Sequence, residues 1–257
     1  MSVIAITGSA SGIGAATRQR LEAAGHRIIG VDLRGAEFDA DLSTASGRDA
    51  AAAWLLDRCG GRLDGLVLCA GLGPQVPDAR KIVEVNYFGV TALLDALLPA
   101  LQRGESPSAV VVSSVVSTQL AWDKNPLGAA LEAGDHERWT AALADAGERA
   151  GQLAYAGSKN AVTVAVRRRV APWGAAGVRL NTVAPGAVET PLLQAGLADP
   201  RYSRAIAEFA APMGRRGRPE ELAAAITFLL GSEAGYVHGA QLVVDGGVDA
   251  QARPTLF

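Results

Sequence analysis

The chain has 257 residues, 49% of them hydrophobic, with 24 Lys and Arg against 26 Asp and Glu and a net charge of −2. That length allows one large domain or two small ones with a sizeable core. The near-balanced charge excludes the basic footprint of a nucleic-acid or anionic-membrane binder. Cys59 and Cys69 are too few for a disulfide framework, and the three histidines are scattered, so no metal is expected. The opening residues MSVIAITG lack the basic and long apolar segments of a secretory signal, and no uninterrupted apolar stretch reaches the ~18–20 residues of a membrane span. These features predict a reduced, cytoplasmic protein.

In chain order, short apolar runs alternate with helical patterns. VIAIT (Val3–Thr7) predicts the first strand, and a helix follows over Gly12–Ala24. RIIGVD (Arg27–Asp32) is the second strand, followed by an alanine-rich helix over Ala45–Cys59. GLVLCAG (Gly65–Gly71) precedes a long helix over Ala79–Leu101, and SAVVVSS (Ser108–Ser114) reads as a strand buried on both faces. A helix over Gln152–Trp173, a strand over Val178–Pro185, a helix over Glu220–Leu230 and a strand over Ala240–Gly247 complete the pattern. Continuously apolar strands separated by helices predict an α/β fold: one doubly wound parallel sheet of the Rossmann type with helices on both faces. With no linker or repeat, the whole of 1–257 reads as one domain.

Two connections are long. Residues 115–154 carry their own helical spacing at Trp139, Ala142, Leu143 and Ala146, and predict a helical insertion. Residues 186–218 are rich in Pro, Gly and Arg and predict a substrate loop or lid, since such folds build substrate sites at the carboxyl ends of parallel strands.

The first strand runs into TGSASGIG, where Gly8, Gly12 and Gly14 permit a tight turn and the next helix offers free N–H groups to a phosphate. The spacing is G-x-x-x-G-x-G rather than G-x-G-x-x-G. Asp32 lies 18 residues beyond Gly14, at the end of the second strand, where a carboxylate accepts ribose hydroxyls and repels a 2′-phosphate; this favours NAD over NADP. Tyr155 and Lys159 stand four apart and share a helix face. An ammonium beside a phenol would favour the phenolate and make Tyr155 usable as an acid and base.

Together these stretches resemble the short-chain dehydrogenase/reductase family over essentially the whole chain. TGSASGIG is similar to its cofactor loop, ADL (Ala40–Leu42) to its adenine-contacting pair, VNYFG (Val85–Gly89) to the helix with its catalytic Asn, and APGAVET (Ala184–Thr190) to its nicotinamide loop. CAG (Cys69–Gly71) departs from the family's Asn-Ala-Gly, whose Asn mainly steadies the sheet. The resemblance implies Asn86, Ser114, Tyr155 and Lys159 as catalytic residues, with Ser113 and Ser117 as rivals of Ser114. It implies cofactor contacts from Gly8, Ser11, Gly12, Ile13, Gly14, Asp32, Leu33, Asp41, Leu42, Ala70, Gly71, Tyr155, Lys159, Pro185, Val188 and Thr190. The chemistry implied is NAD-dependent exchange of a secondary alcohol and a ketone. Tyr155 moves the proton, Lys159 keeps its pKa low, Ser114 holds the reacting oxygen, and Asn86 anchors a relay water.

Ser114 and Tyr155 are 41 residues apart, against a much shorter interval in most members. With CAGLGPQ (Cys69–Gln75), DKNPL (Asp123–Leu127), TPLLQAGL (Thr190–Leu197), DPRY (Asp199–Tyr202) and YVHGAQ (Tyr236–Gln241), the insertion resembles a branch acting on 3α-hydroxysteroids, 3-ketosteroids and other carbonyls. Leu192, Leu193 and Leu197 would line a steroid face. Aryl-allylic alcohols of the coniferyl type are the alternative substrate. A non-catalytic NAD sensor is a remote one, since Tyr155 and Lys159 are both present. The insertion would block a subunit-pairing helix, which implies a homodimer rather than a tetramer.

Overall fold

The chain enters in β1 (Val3–Thr7), turns into α1 (Gly12–Ala23) and returns in β2 (Arg27–Asp32). A two-residue strand that the pattern did not single out, β3 (Phe38–Asp39), follows, then α2 (Ala45–Arg58), β4 (Gly65–Leu68), α3 (Ala79–Val83) and α4 (Gly89–Leu101). A single π-turn, Glu84–Phe88, joins α3 to α4, so the expected long helix is continuous but locally underwound around Asn86. After β5 (Ser108–Val112) come α5 (Gly128–Ala133), α6 (His136–Asp145), α7 (Ala150–Arg168) and α8 (Val170–Ala175). Beyond β6 (Arg179–Pro185) lie α9 (Pro191–Ala198), α10 (Ser203–Glu208), α11 (Pro219–Leu230), β7 (Gln241–Val244) and α12 (Val248–Ala252). This computed structural model describes residues 1–209 and 211–256; Ala210, within the expected 186–218 loop, and Phe257, the last residue of the sequence, lie outside the described residues.

The helix expected over Gln152–Trp173 is two helices, α7 and α8, with the break at Arg169. Pro172 has no N–H to bond the carbonyl of Arg168, and its ring crowds that carbonyl.

The strands are all parallel, in the order β3-β2-β1-β4-β5-β6-β7. Alternation decides the two cores. On β5, Ala109 and Val111 join one apolar cluster and Val110 and Val112 the other; on β1, Ala5 faces the first and Ile4 and Ile6 the second. The first cluster is covered by α2, α4 and α7, and the second by α1 and α11. A sheet buried on both faces requires continuously apolar strands. By length and composition, the run Ala79–Leu101 could cross a membrane, but 61% of its most apolar window is buried in the fold, as in a core helix.

The residues between β5 and α7 form a helical cap. Leu127, Ala130, Leu131, Trp139 and Leu143 are buried and pack into the cluster under α4 and α7. At the other flank, Arg179 pins the end of α11. Its guanidinium donates to the carbonyls of Leu229 (2.6 Å), Ala234 (3.0 Å), Leu230 (3.0 Å) and Gly231 (3.0 Å). Arg179→Met keeps the stem but leaves these carbonyls without their shared donor, and should cost about 2–3 kcal/mol in chemical denaturation. A denaturation midpoint equal to that of the unmodified chain would reject this role.

Candidate active site

The strand order reverses between β1 and β4, and the loops leaving their carboxyl ends part there to form a crevice. A cleft of about 460 Å³ occupies it, ample for a small organic ligand. The two ends of its wall come from opposite halves of the chain: the glycine loop with Asp32, and α7 with the β6–α9 connection.

On the first side, Gly8 adopts a left-handed φ of +69°, and its N–H bonds the carbonyl of Val31 at 2.8 Å. A Cβ on Gly14 would lie 2.0 Å from the Gly8 carbonyl oxygen, so α1 starts in direct backbone contact with the loop. Ser11 is in cap position on α1 but makes no side-chain cap bond, unlike Thr44 on α2 or Asp135 on α6. The first-turn N–H groups of α1 are thus left for a ligand. Asp32 braces the loop, with Oδ2 accepting the Ala10 N–H at 2.9 Å and Oδ1 the Leu33 N–H at 2.7 Å. Asp41 stands nearby, its carboxyl held below the ordinary value by hydrogen bonds from Ser43. Gly8, Ser11, Gly12, Ile13, Gly14, Asp32, Leu33, Asp41 and Leu42 all line the cleft, as do Ala70, Gly71, Pro185, Val188 and Thr190. A diphosphate fits the uncapped helix start, and a ribose fits the Asp32 carboxylate.

On the second side, Tyr155 and Lys159 line the cleft one helical turn apart on α7. Lys159 is 4% exposed, and its Nζ donates to the carbonyl of Val112 at 2.8 Å. Burial pushes its ammonium down to about 8. Burial also pushes the Tyr155 phenol above its ordinary value, and the Ser114 hydroxyl opposes that shift. This differs from the expectation that Lys159 depresses the phenol. One ammonium N–H goes to Val112, and removal from water disfavours the charged form of both groups.

Ser114 and Ser113 part as strand alternation requires. The Ser113 hydroxyl is consumed inside the fold, donating to the Lys159 carbonyl at 3.1 Å and sharing a 2.7 Å hydrogen bond with Thr163. The Ser114 hydroxyl is not taken up in this way: it accepts the Val116 N–H at a long 3.4 Å, and its side chain faces Tyr155. Ser117 is bound by Gln241, whose Nε2 donates to its Oγ at 2.6 Å.

Asn86 is fully buried behind the wall rather than in it. Its Oδ1 accepts the Leu72 N–H at 2.8 Å and its Nδ2 donates to the Leu72 carbonyl at 3.0 Å, so the side chain holds the loop after β4. A Cβ on Gly71 would meet Asn86 Oδ1 at 3.3 Å and Lys159 Nζ at 3.4 Å, so both side chains border the Gly71 backbone. Cys69 also borders the cleft; burial pushes its thiol up to about 12, which makes it inert.

Sequence reasoning missed Lys81, which lines the cleft near Asp41; no spacing marks it. It also missed that CAGLGPQ and DPRY meet. The Arg201 guanidinium, paired with Asp199 at 2.7 Å, donates to the Gln75 carbonyl at 3.0 Å, and Gln75 Nε2 reaches the Leu192 carbonyl at 3.4 Å. This clasp ties the α9–α10 arm to the loop after β4. Leu192 and Leu193 line the cleft; Leu197 is not part of its wall.

Comparison with known proteins agrees with this geometry. The short chain dehydrogenase model matches residues 34–130, and the Enoyl-(Acyl carrier protein) reductase model matches residues 139–249. The 3-alpha-hydroxysteroid dehydrogenase/carbonyl reductase of Comamonas testosteroni is 63% identical over 257 residues, with both chains covered completely. The coniferyl-alcohol dehydrogenase of a Pseudomonas species is 32% identical, with 95% of each chain covered. The crystal structure of the 3-alpha-hydroxysteroid dehydrogenase from Pseudomonas sp. B-0831 complexed with NADH superposes with a TM-score of 0.96 at 55% identity over all of both chains.

Proposed function

The chain belongs to the short-chain dehydrogenase/reductase family, and from that premise we propose that it is an NAD(H)-dependent oxidoreductase interconverting 3α-hydroxysteroids and 3-ketosteroids, with broader reduction of carbonyl compounds. The observation that carries this is the meeting of Tyr155, Lys159 and Ser114 at one end of an apolar-walled cleft whose other end holds an uncapped helix start and the Asp32 carboxylate.

NAD supplies the acceptor for the hydride that leaves the carbinol carbon. The Tyr155 Oη takes the hydroxyl proton of the alcohol, or returns it to the carbonyl oxygen in reduction. The Ser114 Oγ bonds the same oxygen and stabilises the charge that develops on it. Lys159 holds a second proton site within the buried wall, and Asn86 fixes the loop that closes over it. Leu72, Val76, Leu192 and Leu193 exclude water and accept an apolar ring system. The test is the initial rate of NADH formation with androsterone, its 3β epimer and coniferyl alcohol. Turnover of androsterone over its epimer supports the reading, and no turnover of androsterone rejects it. The coniferyl reading keeps a place because a relative with that activity aligns over nearly the whole chain and apolar pockets discriminate weakly; preference for coniferyl alcohol would establish it.

Asp32 sets the cofactor. A 2′-phosphate would face its carboxylate, and like charges so placed repel. Asp32→Ala should lower the NAD-over-NADP ratio of kcat/KM by at least about tenfold, or 1.4 kcal/mol. An unchanged ratio would assign Asp32 to loop bracing alone.

The subunit is proposed to form a homodimer. The helical cap over α4 and α7 covers one flank, while Phe228 on α11 is 44% exposed, Tyr236 is fully exposed, and β7 ends the sheet with half-buried residues. Light scattering should give twice the 26.4 kDa of one chain; a tetramer refutes the dimer. The free thiols of Cys59 and Cys69 are in keeping with a cytoplasmic setting.

A further inference from the structure

Ser114 and Tyr155 must reach one substrate oxygen, yet the whole helical cap is threaded between them. Something has to hold the strand end to α7, and Asn160, the neighbour of Lys159, is placed to do so. It is 5% exposed, and every polar atom of its side chain is used. Its Nδ2 donates to the carbonyls of Ser117 (3.1 Å) and Leu120 (2.7 Å), and its Oδ1 accepts Asn125 Nδ2 at 3.0 Å. Asn125, from the start of the cap, also donates to the Gly157 carbonyl at 2.9 Å, and its Oδ1 accepts the Leu127 N–H at 3.1 Å. The two amides thus form a closed, buried pair with both cap and helix backbone attached. The turn they grip begins at Ser114, since the Ser117 N–H bonds the Ser114 carbonyl at 3.0 Å.

An amide is suited to this place. It offers two donors for two carbonyls and one acceptor for its partner; a hydroxyl has one donor and an apolar side chain none. Asn160 does not line the cleft and touches no reacting atom. Its grip falls on the segment that carries the Ser114 hydroxyl, from the helix that carries the Tyr155 phenol.

We propose that Asn160 is a positioning residue for the reaction, holding the Ser114 hydroxyl in register with the Tyr155 phenol by tying the turn from Ser114 to Leu120 onto α7. The inference rests on the alcohol dehydrogenase reading above.

A double-mutant cycle tests it, with Ser114→Ala, Asn160→Ala and the double variant assayed in the full chain with NAD and androsterone. Asn160→Ala should lower kcat by about 10- to 100-fold, because small misplacements of reacting groups are that costly. The KM for NAD should stay within about twofold, since the cofactor end of the cleft is untouched. In the Ser114→Ala background, Asn160→Ala should cost less than about threefold more, because the hydroxyl it positions is already gone. Asn160→Ser, which keeps one donor, should give an intermediate kcat, and it takes the place of Asn160→Ala in the cycle if that variant does not fold. Losses that multiply in full, or a KM for NAD that rises in step with the fall in kcat, overturn the inference. No turnover of any alcohol by the unmodified chain overturns the dehydrogenase reading as well; turnover with an additive cycle overturns the inference alone.

Discussion

Tyr155→Phe should lower kcat in both directions by about 10²–10⁴-fold, the range for loss of a general acid–base. NADH binding, followed by its fluorescence, should stay within about threefold, because the hydroxyl is not part of the diphosphate and adenosine end. The variant removes one oxygen and no packing, so the fold should hold. The direction of the pH dependence follows from the environment of the phenol. Burial raises its pKa above the ordinary value, with Ser114 as the opposing influence. The protonated phenol that reduction needs is therefore present at neutral pH and below. The phenolate that oxidation needs becomes more populated as pH rises. Oxidation should accelerate with pH toward the alkaline range, and reduction should slow over the same span. Residual oxidation by Tyr155→Phe at a tenth or more of the original rate would remove Tyr155 from its role.

Gly14→Ala should abolish cofactor binding for a steric reason. The added Cβ would stand 2.0 Å from the Gly8 carbonyl oxygen and 2.7 Å from its carbon. The loop has no slack to yield. Gly8 is fixed by its 2.8 Å bond to Val31 on one side, and on the other a Cβ there would already lie 2.8 Å from the Ala70 nitrogen. Relief must come from α1 moving off the loop, which carries its N–H groups away from the diphosphate. Affinity for NADH should fall at least about 100-fold, or 2.7 kcal/mol. Overpacking should also cost about 1–3 kcal/mol of stability. Titration of NADH fluorescence and chemical denaturation measure the two effects. Binding within threefold of the unmodified chain would show that the loop contact is dispensable.

The parts legible in the sequence were those whose physics is local. Strand and helix order followed from apolar runs and periodicity, because a parallel sheet covered on both faces needs strands that are apolar throughout. The glycine loop, Asp32 at a strand end and the four-residue spacing of Tyr155 and Lys159 are one-dimensional features, and each of these residues lines the cleft. Alternation along β5 required one of Ser113 and Ser114 to turn away. Which one was decided by α7, whose Lys159 carbonyl and Thr163 hydroxyl take up Ser113. That the Asn86 amide sits behind the wall, bonded to the Leu72 backbone beside a π-turn, was also decided by the tertiary structure. The sign of the Tyr155 and Lys159 shifts was also tertiary, because desolvation depends on everything packed around a group and not on its helix neighbour alone. Gln75 and Arg201 lie 126 residues apart, and Asn160 and Ser117 are 43 apart. Contacts at such separation leave no periodicity in the chain, since only the closing of the sheet brings their backbones within reach of one side chain.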